Sequence, residues 1–352
     1  MSRPRIALVA ASLDILGGQG IQANDLVKAL RRDGYAVTFL AVNPRFPTGL
    51  SWMRRLRYVR TCANQVRYLP SLGRLVTVDV VHVFSASYWS FLLGPAPAML
   101  AARILNKRVV LHYHSGEADD HLSNWGPLVH PWLRLAHEIV VPSEYLRRVF
   151  ARHGYESRVI PNVVDLSRFR YRDRVPLRPR LLSTRNLEPY YRIDVILEAF
   201  ARFKAQEPGA TLTVAGYGSE ERRLRQMACA LSSGGIRFVG RIEPDRMPAL
   251  YAEADLFLNA SVVDNQPLSI LEALSSGLPV VSAATGDIPF MVRHGETGLL
   301  VPPGDPSALA DAIGAFWREP NRARKMARQG WQDVAKYTWP AVRDEWAKAY
   351  AC

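Results

Sequence analysis

Short apolar runs alternate with longer amphipathic stretches along nearly all of the chain, a pattern that predicts parallel strands, each followed by a helix. I-A-L-V-A-A reads as the first strand, I-Q-A-N-D-L-V-K-A-L-R-R-D-G as a helix stopped at Gly34, and A-V-T-F-L-A-V as the second strand. V-D-V-V-H-V-F-S-A and K-R-V-V-L-H-Y-H-S follow, with a helix over Ala98 to Leu105 between them. E-I-V-V-P-S-E-Y-L-R-R-V-F-A-R-H-G supplies a strand, a Ser143 N-cap and a helix ended by Gly154, and V-I-P-N-V-V-D closes the first sheet. The stretch L-S-R-F-R-Y-R-D-R-V-P-L-R-P-R is basic, proline-punctuated and aperiodic, so the linker is placed there. The alternation resumes with L-L-S-T-R, T-L-T-V-A-G-Y-G, I-R-F-V-G-R-I, D-L-F-L-N-A, P-V-V-S-A and E-T-G-L-L-V, and the final helix is interrupted at Pro340. The expected division is 1–165, a linker at 166–180, 181–335, and a terminal helix at 336–352.

The second half turns on Ser261 to Gly286. Pro267 suits a first helical position, Gly277 the position past the helix end, and Pro279 forbids continuation. A loop that leaves a buried strand and opens a helix aims the N–H groups of Leu268, Ser269 and Ile270 into the crevice at the sheet edge, where phosphate is the usual guest. Asp264 precedes this turn and Glu272 lies eight residues later in an otherwise apolar helix. Glu272 is either a first-turn acid that complements the helix dipole or a carboxylate that accepts hydrogen bonds from a polyol such as ribose. Arg185 arrives at the C-terminal end of the L-L-S-T-R strand, where a guanidinium clamps a diphosphate.

Composition is that of a globular protein, with 48% hydrophobic and 22% charged residues, and the length accommodates two domains. No apolar run approaches a membrane span, and the N-terminus lacks the length and flanks of a signal peptide. Cys62, Cys229 and Cys352 are odd in number and lack metal or redox spacing, which fits a reducing cytosol. The net charge of +13 is uneven: 26 Lys/Arg face 12 Asp/Glu up to Arg180, and 19 face 20 beyond it. The basic half therefore expects an anionic partner, a membrane surface or acceptor rather than nucleic acid, whose motifs are missing. W-M-R-R-L-R-Y-V-R-T-C-A-N-Q-V-R-Y-L puts Met53, Leu56, Val59, Ala63 and Val66 on one helical stripe flanked by Arg54, Arg57 and Arg60, with Trp52, Tyr58 and Tyr68 nearby. Such a helix lies in a membrane surface, or packs its stripe on the sheet with solvated arginines.

Gly18, Gly20 and Ala23 fit G-x-G-x-x-A, but the loop before Gly18 is too long for the dinucleotide turn, and the second strand ends A-V-N-P without an acid. His114 ends its strand on the side where sites of this fold class lie, and Glu117, Asp119, Asp120 and His121 follow in a polar loop. As a metal cluster their spacing matches no standard site.

The frame D-N-Q-P-L-S-I-L-E-A-L-S-S-G-L-P-V-V resembles the donor signature of retaining glycosyltransferases of family 4, whose two acids have seven residues between them within E-x-x-P-x-x-x-x-E. The resemblance implies an α/β architecture of the GT-B fold, with two doubly wound Rossmann-like domains facing across a cleft and a C-terminal helix crossing back. It implies a donor site for a UDP- or GDP-sugar at Gly17, Gly18, Arg185, Arg192, Gly216, Arg241, Ile242, Asp264, Asn265, Gln266, Pro267, Leu268, Ser269 and Glu272. Catalytic roles fall to His114, Asp264 and Arg185, and Glu117, Asp119 and His121 are acceptor-side candidates. No cofactor or metal is implied. The expected acceptor is a glycan or lipid-linked precursor, met by a cytoplasmic protein peripheral on the inner membrane face. Asp264 is one methylene shorter than the family acid. The family's lysine, five residues after the arginine, is replaced by Tyr190 or Tyr191, with Arg192 as a substitute charge. A sugar epimerase or phosphorylase of the same fold, and a lapsed nucleotide-sugar binder, remain alternatives.

Overall fold

The computed structural model describes residues 3–12, 18–44, 57–85, 87–231 and 234–351. Two compact units emerge, Met1–Val163 together with Val342–Cys352, and Val164–Ala341.

The first unit carries strands β1 (Ile6–Ala10), β2 (Val37–Ala41), β3 (Val80–Ser85), β4 (Arg108–Tyr113), β5 (Glu138–Val141) and β6 (Arg158–Val159). They form one parallel sheet in the order β2-β1-β3-β4-β5-β6. Its helices are α1 (Gly18–Arg32), α2 (Arg57–Ser71), α3 (Trp89–Leu93), α4 (Pro95–Ile104), α5 (Ala118–Asn124), α6 (Gly126–Leu133) and α7 (Glu144–Arg152). The chain runs outward from β1 to β2 and returns to β3 on the other side. β1 and β3 therefore flank the switch point, where ligands of such sheets bind.

Strand alternation divides β3 and β4 between two cores. Val81, Val83, Val109 and Leu111 face Phe91, Met99 and Phe150 on one side. His82 and His112 face the other, and the C-terminal helix, Trp339–Tyr350, covers them. Trp346 stacks on His82 at 4.9 Å and meets His112 at 5.0 Å. His82 Nδ1 bonds the Tyr350 hydroxyl at 2.7 Å, and its Nε2 bonds His112 Nδ1 at 3.2 Å. Pro340 does not interrupt this helix. It lies in the first turn, where its missing N–H costs nothing.

The second unit holds β7 (Arg180–Ser183), β8 (Thr211–Ala215), β9 (Ile236–Gly240), β10 (Leu256–Asn259), β11 (Val280–Ala283) and β12 (Leu299–Val301), all parallel in the order β12-β11-β10-β7-β8-β9. Its helices are α8 (Ile193–Gln206), α9 (Glu221–Leu231), α10 (Met247–Glu253), α11 (Leu268–Ser275), α12 (Ile288–Met291), α13 (Pro306–Arg318) and α14 (Pro320–Asp333). Here β7 and β10 flank the switch point.

The stretch expected as a free linker is docked on this unit. Fully buried Asp255 accepts from Arg172 Nη2 at 2.8 Å and Arg178 Nε at 3.2 Å. Arg174, also buried, donates to the carbonyls of Tyr251, Ala254, Arg172 and Ser276. Burial, with the charge of Arg172, pushes its pKa down to about 9. A basic, aperiodic stretch carries no local sign of such docking. Its arginines satisfy carbonyls left over at the ends of α10 and α11.

Candidate active site

The donor-type site is assembled at the β7/β10 switch point. β7 leads into Thr184 and Arg185, β10 into the 261–267 loop, and α11 begins at Leu268. Pro267 caps α11 with extended ψ rather than occupying its first turn. Its carbonyl takes the N–H of Ile270 at 3.1 Å. Of the three N–H groups expected to point outward, those of Leu268 and Ser269 are left over by the helix. At the far end Gly277, at φ +71°, closes α11 by returning its N–H to Leu274, with Leu278 bonding Ala273.

Arg185 is buried. Its Nη2 donates to Asp264 Oδ2 at 2.7 Å, its Nη1 to Ser269 Oγ at 3.1 Å, and its Nε–H finds no acceptor among the described residues. Burial opposes the charge, but Asp264 and neighbouring groups outweigh it and raise the guanidinium pKa. Ser261 also donates to Asp264 Oδ2, at 2.7 Å, and Asn259 Nδ2 bonds both Ser261 and Ser282. The carboxylate is thus fixed by a buried polar chain rooted in β10 and β11. Gly286, at φ +54°, passes so close that a Cβ would lie 1.6 Å from the Asp264 carbonyl oxygen. Gly216 at the end of β8 makes a similar approach, 2.2 Å from the Arg185 carbonyl oxygen. Asn265 and Gln266 are buried in the same loop.

Glu272 is half-buried and accepts from the Tyr251 hydroxyl at 2.7 Å. That hydroxyl meets Thr184 Oγ1 at 2.7 Å and lies 3.3 Å from the Ser269 carbonyl. Since a phenol has one proton, it serves Glu272, and Thr184 donates to the phenol. Burial first, and the Glu272 charge next, hold the Tyr251 pKa well above its ordinary value. Tyr251 was missed in the sequence because it lies in α10, outside the recognised frame.

Tyr191, not Tyr190, meets the arginine: its ring lies under the Arg185 guanidinium at 4.1 Å. Tyr190 stands T-shaped against it at 4.5 Å and is exposed. Arg192 does not take up the expected role beside Arg185. It sits at φ +48° and directs Nε to Asp194 at 3.0 Å. Arg241 is exposed over Tyr217 at 5.6 Å, with Ile242 half-buried beyond it. Gly17 lies outside the described residues, and Gly18 is the first residue of α1. A groove of about 490 Å³ among Arg180, Thr211, Arg237 and Glu253 lies at the N-terminal ends of β7 to β9, opposite this chemistry.

On the first unit, His114 follows β4 and bonds Ser85 O through its N–H at 3.2 Å. Burial lowers its pKa to about 3, so the ring is neutral at pH 7. The acceptor-side candidates separate. Glu117 is exposed, Asp119 is paired with Arg152 at 3.0 Å on α7, and His121 is fully buried with Nδ1 on the Tyr113 hydroxyl at 2.8 Å. Asp120 remains at the surface, held by Tyr88 and Asn124. Among the described residues no group of three His, Cys, Asp or Glu is arranged to hold a metal.

Solved structures share this architecture. An Anabaena protein, HepE, crystallised with UDP and glucose, superposes with a TM-score of 0.76 over 98% of this chain and 99% of its own, at 18% identity. The sucrose-phosphate synthase of Thermosynechococcus elongatus does so at 0.79, covering 99% and 98% of the two chains, at 22% identity. The fold is that of the GT-B glycosyltransferases. Residues 16–168 match the family model Glycosyltransferase Family 4, and residues 178–319 match Glycosyl transferases group 1. A Mycobacterium leprae phosphatidyl-myo-inositol mannosyltransferase is 26% identical over 98% of this chain and 96% of its own. A Mycobacterium tuberculosis glycogen synthase is 30% identical over 77% of this chain and 68% of its own. The chain belongs to glycosyltransferase family 4 and is a glycosyltransferase.

Proposed function

We propose that the protein transfers a sugar, with retention, from a UDP- or GDP-sugar to a hydroxyl of a lipid-linked or polysaccharide-precursor acceptor, at the inner face of the cytoplasmic membrane and without a resident metal. The observation that carries this is the buried Arg185–Asp264 pair beside the start of α11, with one guanidinium N–H unused among the described residues. A leaving diphosphate needs fixed positive charge and N–H donors. Arg185 and the Leu268 and Ser269 amides fit that need, and Glu272, steadied by Tyr251, fits a ribose. As the anomeric carbon–phosphate bond breaks and the acceptor oxygen bonds that carbon, the acceptor proton passes to the departing phosphate. His114, neutral, serves as a hydrogen-bonding partner for a sugar rather than as a charge.

The names of the relatives support nucleotide-sugar chemistry, and the mycobacterial mannosyltransferase supports a lipid-linked acceptor. Support for a membrane surface comes from α2. Val59, Val66 and Leu69 are exposed rather than packed on the sheet, as is Val76 beyond it, and Arg60, Arg67 and Arg74 accompany them. Tyr68 is not part of that surface, because it is buried with its hydroxyl on the Gly94 carbonyl at 2.7 Å. The first turn of the expected stripe, Trp52 to Leu56, lies outside the described residues. Among the described residues no helix is long and apolar enough to cross a membrane.

The test is nucleotide release from a panel of UDP- and GDP-sugars, with and without a lipid extract. Release from one donor that requires the extract, and that falls about 100-fold in Glu272→Ala, is expected. Tight nucleotide binding with no release from any donor would overturn the reading. In the same assay Tyr191→Ala is expected to lower kcat/KM about tenfold and Tyr191→Phe less than threefold, because a ring face under a desolvated guanidinium contributes about 1–2 kcal/mol. Equal losses in the two variants would remove the stacking explanation.

A further inference from the structure

We propose that Trp89 and Trp125, at the C-terminal edge of β3 and β4, bind a pyranose ring of the acceptor glycan. This rests on the transferase reading and names its acceptor class.

Trp89 is 64% exposed and presents its indole to solvent. It is also held in place. Its ring meets Trp125 edge-on at 5.4 Å and 90°, and Trp125 meets Tyr88 at 5.5 Å and 67°. The backbone at Tyr88, immediately before Trp89, sits at φ +56° and ψ −135°. A non-glycine residue is strained there, and such strain is concentrated at functional sites. Below lies fully buried His121, its ring 5.2 Å from that of Tyr88. The two indoles thus form a fixed corner with a free aromatic face.

Beside this corner stands Asp120. The Tyr88 hydroxyl donates to its Oδ2 at 2.6 Å and Asn124 Nδ2 to its Oδ1 at 2.7 Å. Those two bonds lower its pKa, so the carboxylate is ionised at neutral pH, and each oxygen keeps a lone pair facing water. A pyranose presents an apolar face of axial C–H bonds and a rim of hydroxyls. An indole face answers the first, and an anchored carboxylate answers the second. Charge separates this occupant from an anionic lipid surface, since Glu117, Asp119 and Asp120 are all exposed here.

The experiment follows the indole N–H signals of ¹⁵N-labelled protein, with that of Trp89 assigned by its loss in Trp89→Phe. The probes are methyl and octyl α-D-mannopyranoside, methyl and octyl α-D-glucopyranoside, and phosphatidylglycerol vesicles. Expected is a shift of the Trp89 signal by at least one glycoside. Its Kd, read in every variant on the Trp125 indole signal (assigned by its loss in Trp125→Phe), should rise tenfold or more in Trp89→Ala, less than threefold in Trp89→Phe, and three- to tenfold in Asp120→Asn. Equal affinity of the methyl and octyl forms would assign a free glycan, and a tighter octyl form a lipid-linked one. No response to any glycoside, unchanged affinity in Trp89→Ala, or response to vesicles alone would overturn the proposal. Titration of wild type with UDP and GDP reads the second unit separately. Glycoside failure with nucleotide binding intact leaves the transferase reading standing, and the reverse result removes that reading while leaving the sugar site.

Discussion

Arg185→Ala is expected to lower kcat/KM for glycosyl transfer by about a thousandfold, or about 4 kcal/mol. Arg185 is the cation at the end of β7, and its Nη1, Nη2 and ring contact fix it against Ser269, Asp264 and Tyr191. Most of the loss should appear in kcat, because charge on the leaving phosphate is greatest in the transition state. Arg185→Lys should recover little. An ammonium cannot donate to Asp264 and Ser269 in one plane while stacking on Tyr191. The single alanine variant also leaves Asp264 as a buried carboxylate without its cation, a destabilising arrangement costing about 3–5 kcal/mol. Arg185→Ala with Asp264→Asn separates the effects: thermal stability should recover and turnover should not. A loss of less than tenfold in Arg185→Ala, with the fold intact, would sink the assignment.

The legibility of this site in the sequence was uneven, and for physical reasons. Backbone-borne features were readable: Gly277 ends α11, Pro279 prevents its extension, and the apolar runs on both sides became β10 and β11. These depend on local conformation and strand period, which neighbouring residues dictate. Side-chain commitments were not readable, because they depend on residues distant in sequence. Arg192 looked like a spare charge until Asp194 took it, and Tyr191 looked like a lost lysine until its ring proved to lie beneath Arg185. The docking of the basic linker was not readable because nothing local reveals buried Asp255, 83 residues from Arg172. His82 and His112 read as ordinary members of strands. Only the return of the chain at Trp346 and Tyr350, 268 residues after His82 in the case of Tyr350, shows that they form a second core.

That second core should make the first unit acid-sensitive. Burial first, and the neighbouring His114 next, lower the pKa of His82 to about 3 and that of His112 well below its usual value. In the unfolded chain each titrates near 6.5. The folded state therefore binds fewer protons than the unfolded one between these limits. Stability is full above about pH 6.5 and is lost progressively as pH falls toward 3. By pH 5 His82 alone is expected to cost about 2 kcal/mol, and His112 acts in the same direction. His114, half-buried, adds less, because water screens part of its charge. A proton on His82 makes both ring nitrogens donors, so the Tyr350 hydroxyl and His112 Nδ1 must both accept, and the charge sits in the core against Trp346 and Tyr350. The C-terminal helix should consequently loosen before the sheet does. Urea unfolding at pH 7.5 and pH 5.0 is expected to differ by about 2 kcal/mol or more, with amide exchange rising first in Val342–Tyr350. His82→Phe would still pack on Phe84 and Trp346 and should remove the His82 share of the pH dependence, about 2 kcal/mol at pH 5, while lowering stability at pH 7.5. Stability that is the same at both pH values to within about 1 kcal/mol would show that the histidines already carry water or charge in the folded protein.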